Sequence, residues 1–494
     1  MDEYARLLNP LVELAEGGKV GAGILGAVLA RTARKGAQAT TRGELGRGQP
    51  GAVRVVDRHT ISQGTISKAV AQLTKDGLLA GGHFTKEGSR AVEEIRLGSG
   101  FVTAAAHVVQ HGGRPTGITT ILCDVGGHRI LGERTTRRIA VRVGEDPWKV
   151  LASTIFQHVT HLLDRLGAQT GVTPRLFGVG VEVGAPVIDG EVTTTDASTE
   201  RTAPLAEYLR AEFTSVVASP YPGVTPAILV ENDVACLAML AFREYGYDTA
   251  DLAVAAVLED GIGGGLIMDG RLRRGHSGRA MEIGHLLVGR PPGWRAEHEG
   301  TDTDRDAAAA RWVGKDDPLL CSCGMVDHVD AFATVASLRR DLEATEDDDL
   351  EAAAQRLDPH KAREILSRAG SCLGRALAHV CNVVDPGMLI LYLPRELADV
   401  SGTRRTADYL EWVRIEVTQA FAVKGSRATE FNHQSLPTGK AELARLLARS
   451  AAVCLLDTVV EQALDYDEYR SDRKSVASRY EMTGAGGSSR RIPS

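Results

Sequence analysis

Aromatic residues are scarce: Phe, Trp and Tyr make up 5% of the 494 residues, so Leu, Val, Ile and Ala must fill the core. Cysteine is scarce too, with seven in all. An odd number argues against a disulfide framework. Five of them (Cys123, Cys236, Cys372, Cys381 and Cys454) stand apart in apolar surroundings and are expected to be small core residues. No uninterrupted apolar run reaches membrane-spanning length. The opening Met1-Asp2-Glu3-Tyr4 is acidic and lacks the basic and apolar regions of a secretory signal. No membrane partner and a cytoplasmic location are therefore expected. With 43% apolar and 24% charged residues, the composition is that of an ordinary globular protein.

The net charge of −7 is unevenly spread. Residues 1–110 carry 14 Lys and Arg against 10 Asp and Glu, a balance of +4, which leaves −11 for the remainder. A basic end suits nucleic acid, although +4 over this length is also within ordinary variation. Apolar residues at helical spacing over 5–35 (Leu7, Leu8, Leu11, Leu14, Ile24, Leu25, Val28, Leu29) predict helix. Thr40-Thr41 with Glu44 reads as a second helix start, and a Gly-, Pro- and Arg-rich connector spans Gly46 to Thr60. Over Ile61 to Leu73, Ser62 is a candidate N-cap. Ile66, Val70 and Leu73 form an inward stripe, which leaves Gln63, Gly64, Thr65, Ser67 and Lys68 outward at the helix start. These small and hydroxyl residues, an amide and a cation suit close approach to base edges and phosphates. Asp76-Gly77-Leu78-Leu79 then leads into a hairpin over Gly81 to Leu97, turning at Lys86-Glu87-Gly88-Ser89. Such a helix alone is more often a plain surface helix, but the order of elements over 1–110 resembles a winged helix-turn-helix DNA-binding domain of bacterial repressors.

From about residue 117 strands alternate with helices. Thr119 to Val125 is a strand closing on Gly126-Gly127-His128, and a helix is expected over 148–166. Strands follow at Phe177 to Val183 and at Ala227 to Val230, the latter ending on Glu231-Asn232-Asp233. Another strand pair, Leu252 to Leu258 and Gly265 to Met268, brackets the run Gly261-Ile262-Gly263-Gly264-Gly265. Residues 290–318 read as an exposed insertion, Met388 to Tyr392 as a buried strand, and 471–494 as a disordered tail. No internal sequence repeat is visible. The alternation predicts an α/β domain with ligands at the carboxyl ends of strands.

Two constellations carry chemistry. Cys321-Ser322-Cys323-Gly324 with His328, and His285 in Glu282-Ile283-Gly284-His285, supply two sulfurs and two imidazoles, a set that can close a tetrahedral zinc site. The alternative is a metal-free loop with two inert cysteines. Asn232 beside Asp233 offers a donor and acceptors to adjacent hydroxyls of a polyol. The same pair would also serve as a helix cap after a strand.

Five motifs in order resemble the ROK family (repressor, open reading frame, kinase) over about 117–465. They are Asp124-Val125-Gly126-Gly127, Gly184-Ala185-Pro186, Asn232-Asp233, the Gly-rich run with Glu282-Ile283-Gly284-His285, and Cys321-x-Cys323-Gly324. The resemblance implies an α/β, actin-like (ribonuclease H-like) two-lobed fold preceded by the winged helix-turn-helix. In the family's kinases the residue matching Asp233 is the general base, and those matching Asn232, Glu282 and His285 bind the sugar. His328 stands where the family's third zinc-binding Cys would be, and Asp330 where a sugar-binding Glu would be. The phosphate-binding positions depart from the kinase pattern: His128 replaces Thr or Ser, Glu259-Asp260 replaces Gly-Thr, and Leu391-Tyr392-Leu393-Pro394 replaces a Gly pair. Two carboxylates facing a triphosphate repel it.

The expectation is a DNA-binding transcriptional regulator, a repressor of sugar metabolism, and not an enzyme. It would bind a double-stranded operator as a homodimer or dimer of dimers. Its sugar or sugar-derivative effector would contact Asn232, Asp233, Glu282, His285 and Asp330, beside zinc on His285, Cys321, Cys323 and His328. The alternatives are an active ATP-dependent sugar kinase using Asp233, and a DNA-binding protein that answers to no ligand.

Overall fold

A computed structural model describes residues 40–41, 63–75, 79–87, 90–98 and 100–459, apart from 197–198, 215–225, 245–250, 289–320, 322, 324, 326, 346–347, 400–403 and 422–428. The helix expected over 5–35, the connector 46–60, the insertion 290–318 and the tail 471–494 lie outside the described residues. The chain divides into two units, one of them Val102–Cys454.

In the smaller unit, β1 (Thr40–Thr41) pairs with the third strand of a small sheet, Thr40 lying opposite Ile95. The helix α1 (Gln63–Lys75) leads to the antiparallel hairpin β2 (Leu79–Glu87) and β3 (Arg90–Leu97), whose register slips between Ala80 and His83. Val70 and Leu73 are buried and Lys68 is exposed, as the helical stripe requires. Thr40-Thr41, expected as a helix start, is instead extended. Two β-branched residues suit strand pairing, and their partner on β3 is invisible to any local reading.

The larger unit opens with a meander, β4 (Phe101–His111), β5 (Arg114–Asp124) and β6 (Ile130–Thr136), all antiparallel. Residues 101–110, assigned by pattern to the first domain, therefore belong to β4: Val102, Ala104, Ala105 and Ala106 are buried in a sheet interior. After α2 (Pro147–Thr170) comes β7 (Arg175–Val183). A small antiparallel sheet of β8 (Val187–Ile188), β9 (Glu191–Asp196) and β10 (Thr199–Ala203) then leads to α3 (Leu205–Thr214). β11 (Ala227–Asn232) pairs parallel with β7, which completes a five-stranded sheet in the order β11-β7-β4-β5-β6. The helix α4 (Asp233–Glu244) starts directly from β11.

A second five-stranded sheet follows, of β12 (Leu252–Val257), β13 (Ile262–Met268), β14 (Arg271–Leu272), β15 (Met388–Pro394) and β16 (Glu430–Leu436), in the order β14-β13-β12-β15-β16. β12 and β13 run antiparallel, while β15 and β16 join parallel. Each sheet is thus three meandering strands followed by two later ones, a duplication of topology that the sequence does not display. Between β14 and β15 lie α5 (Asp330–Ala333), α6 (Val335–Asp341), α7 (Leu350–Arg356) and α8 (Pro359–Val384). α9 (Arg395–Ala398) and α10 (Ala407–Phe421) follow β15, and α11 covers 440–459. Asp358 caps α8, accepting from the amides of His360 and Lys361, with Pro359 in the first turn. Leu366, Leu373, Leu377 and Cys381 of α8 share one core with Ala253, Ala255, Leu389 and Leu391 of the sheet. All five scattered cysteines are buried.

The Gly-rich run lies largely inside β13, and close packing requires it. A Cβ on Gly263 would come within 2.6 Å of Val234 Cγ2, and one on Gly265 within 2.5 Å of Ala238 Cβ; both meet α4. One on Gly264 would meet Met281 O and Ile283 Cδ1, both at 2.7 Å, on the other face. Gly265→Val should therefore lower stability by about 1–3 kcal/mol or more, read as a reduced urea midpoint. An unchanged midpoint would contradict the packing described.

Candidate functional site

α4 carries the first wall. Asn232 Oδ1 accepts from the amides of Val234 and Ala235, each at 3.0 Å, and Nδ2 donates to Ala185 O at 3.3 Å. Asn232 is therefore the helix cap, and much of its amide is committed to the protein. Asp233 accepts from Val234 N through Oδ1 at 2.7 Å, and its Oδ2 points toward Gly184, where a Cβ would lie 3.4 Å away. Burial raises the Asp233 pKa to about 7, helped by the carboxylates of Glu182 and Glu282 and opposed by the Val234 amide and His107. On the neighbouring strands the buried Glu182 bonds to His107, and the buried Glu231 to Arg274.

The second wall comes from the segment after β14. Met281 adopts a left-handed φ of 68° and is followed by Glu282 and a single 3-10 turn, Ile283–His285. Burial raises the Glu282 pKa, against the pull of Arg279. Glu282 Oε2 lies 3.8 Å from His285 Nε2. Asp330 begins α5 and is buried; its Oδ1 accepts from Ile262 N at 2.9 Å, and the carboxylate packs over Gly284, where a Cβ would collide with it. Burial pushes Asp330 up to about 7. Its carboxylate thus ties α5 to the start of β13. Asp233, Glu282, His285 and Asp330 converge on one site.

Beside them His285, Cys321, Cys323 and His328 bring one donor atom each within 4.8 Å of one another. Cys321 Sγ is 3.3 Å from His285 Nδ1, Cys323 Sγ is 3.3 Å from His328 Nδ1, and the two Nδ1 atoms are 3.4 Å apart. Zn–N and Zn–S bonds of about 2.0 and 2.3 Å in a tetrahedron imply edges of roughly 3.3–3.8 Å, which these three separations match. Burial lowers the pKa of both histidines, which keeps ring lone pairs available. Burial also raises the Cys321 thiol to about 12, so a metal would have to displace its proton. The backbone supports the loop: Val329 N donates to Leu286 O, and Cys321 N to Met325 O. This cluster can hold a metal ion.

The turns compared with phosphate cradles carry contacts to other parts of the protein. Glu259, in the β12–β13 connection, pairs with Arg339 Nε at 3.1 Å, and its carbonyl accepts from Ala336 N at 3.0 Å. Asp124 Oδ1 accepts from His128 N at 2.7 Å, and Arg449 of α11 donates to Gly127 O at 2.6 Å. The residues expected to touch DNA lie in the smaller unit: Gln63, Gly64, Thr65, Ser67 and Lys68 all fall in α1, with Ser67 half-buried and Lys68 exposed.

Sequence reading passed over His107, Gln110, Glu182, Arg274 and Arg339. A signal existed for Glu182, a lone acid in the otherwise apolar strand Leu176 to Val183, where every position is buried.

Two outcomes follow from these contacts. Because the folded-state pKa of Asp233 is raised to about 7, its stabilising contribution is fully present below the unfolded carboxyl value of about 4 and is lost as pH rises through 7. The melting temperature should fall between pH 5 and pH 8, and Asp233→Asn should flatten part of that fall; an identical slope in the variant refutes the assignment. For the metal, chelator-stripped protein should take up one equivalent of Zn2+ with a rise in melting temperature, and Cys323→Ser should abolish that rise.

Residues 116–392 match the model of the ROK family. The chain is 24% identical over 168 residues to an N-acetyl-D-glucosamine kinase of Pectobacterium carotovorum, covering 33% of this chain and 50% of that protein. It is 25% identical over 167 residues to an N-acetylmannosamine kinase of Vibrio cholerae, covering 33% of this chain and 49% of that one. The chain thus spans about half the length of the curated relatives it matches. Among solved structures, a ROK family transcriptional regulator described as a homolog of the E. coli MLC protein superposes with a TM-score of 0.57 at 15% identity. That likeness covers 90% of this chain and 99% of the regulator, and it is one of fold. With more than half its length matched by the family model, the chain belongs to the ROK family.

Proposed function

We propose that this protein is a DNA-binding transcriptional regulator of sugar metabolism whose ROK domain, held by a zinc ion, binds a sugar or sugar derivative as effector. The observation that carries this reading is the contrast between the two ends of the site. At the polyol end Asp233, Glu282 and His285 stand together, with Asp233 Oδ2 directed at the Gly184 turn. At the other end Glu259 is paired with Arg339 in the turn where a nucleotide's phosphates would need backbone amides. The fold likeness to a regulator over 90% of the chain also supports it. So does α1 with its hairpin, in which Lys68 stands exposed at the helix start.

His285, Cys321, Cys323 and His328 would hold the zinc, which supplies a rigid crosslink of the loop. His285 would then be fixed between the metal and the ligand, so that effector binding at Glu282 and His285 bears on the segment leading into α5. In a homodimer on a two-fold operator, a ligand that prefers one arrangement of the subunits shifts the population of DNA-competent dimers.

A sugar kinase is the second reading. It is favoured by the raised pKa of Asp233, which suits a general base near neutral pH, and by the kinases among the relatives. A coupled ATP assay with glucose, N-acetylglucosamine and N-acetylmannosamine separates the two. The regulator reading expects no turnover, together with sugar-dependent change in the affinity for the DNA upstream of its own gene. Turnover that Asp233→Asn abolishes would establish the kinase. Affinity for DNA indifferent to every sugar would leave a ligand-independent binder. Lys68→Ala should weaken DNA binding across sequences and reduce its salt dependence by about one phosphate contact, measured by fluorescence anisotropy at several salt concentrations.

A further inference from the structure

Beneath Asp233 lies a polar cluster that neither the family motifs nor the proposed function uses. His107 on β4 bonds through Nδ1 to Glu182 Oε1 on β7. Glu182 is 0% exposed, and its other oxygen, Oε2, has no hydrogen-bond partner among the described residues. The side-chain oxygen of Gln110, three residues further along β4 and past the register shift between Val109 and Gln110, is likewise buried and has no hydrogen-bond partner among the described residues. A Cβ placed on Gly184 would lie 3.6 Å from that oxygen and 3.4 Å from Asp233 Oδ2, so the two acceptors face the same small space.

A structural tie between two strands accounts for the bond between His107 and Glu182. It does not account for the rest: leaving buried acceptors unpaired costs about 1–3 kcal/mol each, and native interiors hold few of them. Acceptors gathered around one space are what a donor-rich ligand satisfies. The carboxylate of Glu182 fixes the imidazole with its proton on Nδ1, which leaves Nε2 as the end with no hydrogen-bond partner among the described residues, on a side chain 17% exposed.

We propose that His107 is a ligand-recognition residue of this pocket, that Glu182 is its positioning residue, and that Nε2 of His107 and the Asp233 carboxyl together grip neighbouring hydroxyls of a polyol. The inference rests on the effector reading above and names two residues that reading lacks. Burial alone would strip the imidazole of its proton, but Glu182, by charge and hydrogen bond, and Asp233, by charge, hold its pKa up. A charged ring makes Nε2–H a donor beside an acceptor, the pairing that vicinal hydroxyls require. The titratable groups facing Asp233 are His107 from β4, Glu182 from β7 and Glu282 from the segment before the 3-10 turn. Glu231 of β11, directly across from Glu182, is taken by Arg274. Binding through this pair is therefore linked to protons, with His107 needed charged and Asp233 needed as an acceptor.

The test uses the full chain with glucose and N-acetylglucosamine as probes, followed by calorimetry from pH 5.5 to 8.5 and by NMR of 15N-labelled histidine. In the wild type, sugar addition should shift the Nε2 resonance of His107. Glu182→Gln, which keeps shape and hydrogen bonding, should lower the His107 pKa. It should also move the alkaline limb of the affinity profile to lower pH by the same amount. His107→Ala should lose at least about tenfold in affinity, and the wild-type resonance decides the matter even if that variant folds poorly. A sugar that binds without moving the Nε2 resonance, or an affinity profile unaltered by Glu182→Gln, overturns the inference and leaves the effector reading intact. A wild-type protein that binds neither sugar overturns the effector reading and the polyol grip together.

Discussion

The close approach of three backbones at β13 is the constraint on which the site depends. Gly263 and Gly265 let α4 press onto one face of the strand, and Gly264 lets the Met281–Ile283 segment press onto the other. α4 begins at the end of β11 in the first sheet, so this packing couples an element rooted in one sheet to the surface of the second. Asp233 is held at that junction. Glu282 and His285 arrive on the opposite side of the same strand, and Asp330 closes the corner through Ile262 N. Side chains with any Cβ at these glycines would separate the walls, and the carboxylates that converge there would no longer share one environment.

Much of this was legible in the sequence, for identifiable reasons. The elements around Asp124, Phe177 to Val183 and Ala227 to Asp233 are local patterns of apolar run and turn, and they fold where the pattern places them. The four metal-ligand candidates were legible from chemistry, since Cys and His in that spacing have few other common roles. Thr40-Thr41 was misread because its partner on β3 lies far along the chain. The Gly-rich run was read as a connection between strands, since glycine is ambiguous between turning and allowing close approach; only Val234, Ala238 and Met281 decide which applies. The duplication of sheet topology is not visible in the sequence, because it lies in strand order and pairing and not in a repeated residue pattern. Residues 102–110 lie in β4, which pairs with the adjacent β5 across the Gly112-Gly113 turn.

Electrostatics organises the interior of the first sheet. Glu182 and Glu231 lie directly opposite each other on parallel strands, an arrangement of like charges that burial would make costly. Each is answered from outside the pair, Glu182 by His107 and Glu231 by Arg274. Arg274 comes from the chain just beyond β14, so this ion pair also spans the two sheets. The surroundings of Asp233 are thus rich in acid and compensated by few cations. Glu259, in the β12–β13 connection, pairs with Arg339.

α11 completes the first sheet from the far end of the chain. Arg449 bonds Gly127 O and Glu244, Arg445 bonds Glu133, and Ala451 O lies so close to Gly180 that only glycine fits. During synthesis, β4 to β7 leave the ribosome long before their covering helix exists, and the β5–β6 turn waits for Arg449 across 322 residues. Such non-local closure is slow, and the uncovered sheet is exposed to aggregation in the interval. The first sheet consequently reaches its final packing only after α11 has been made.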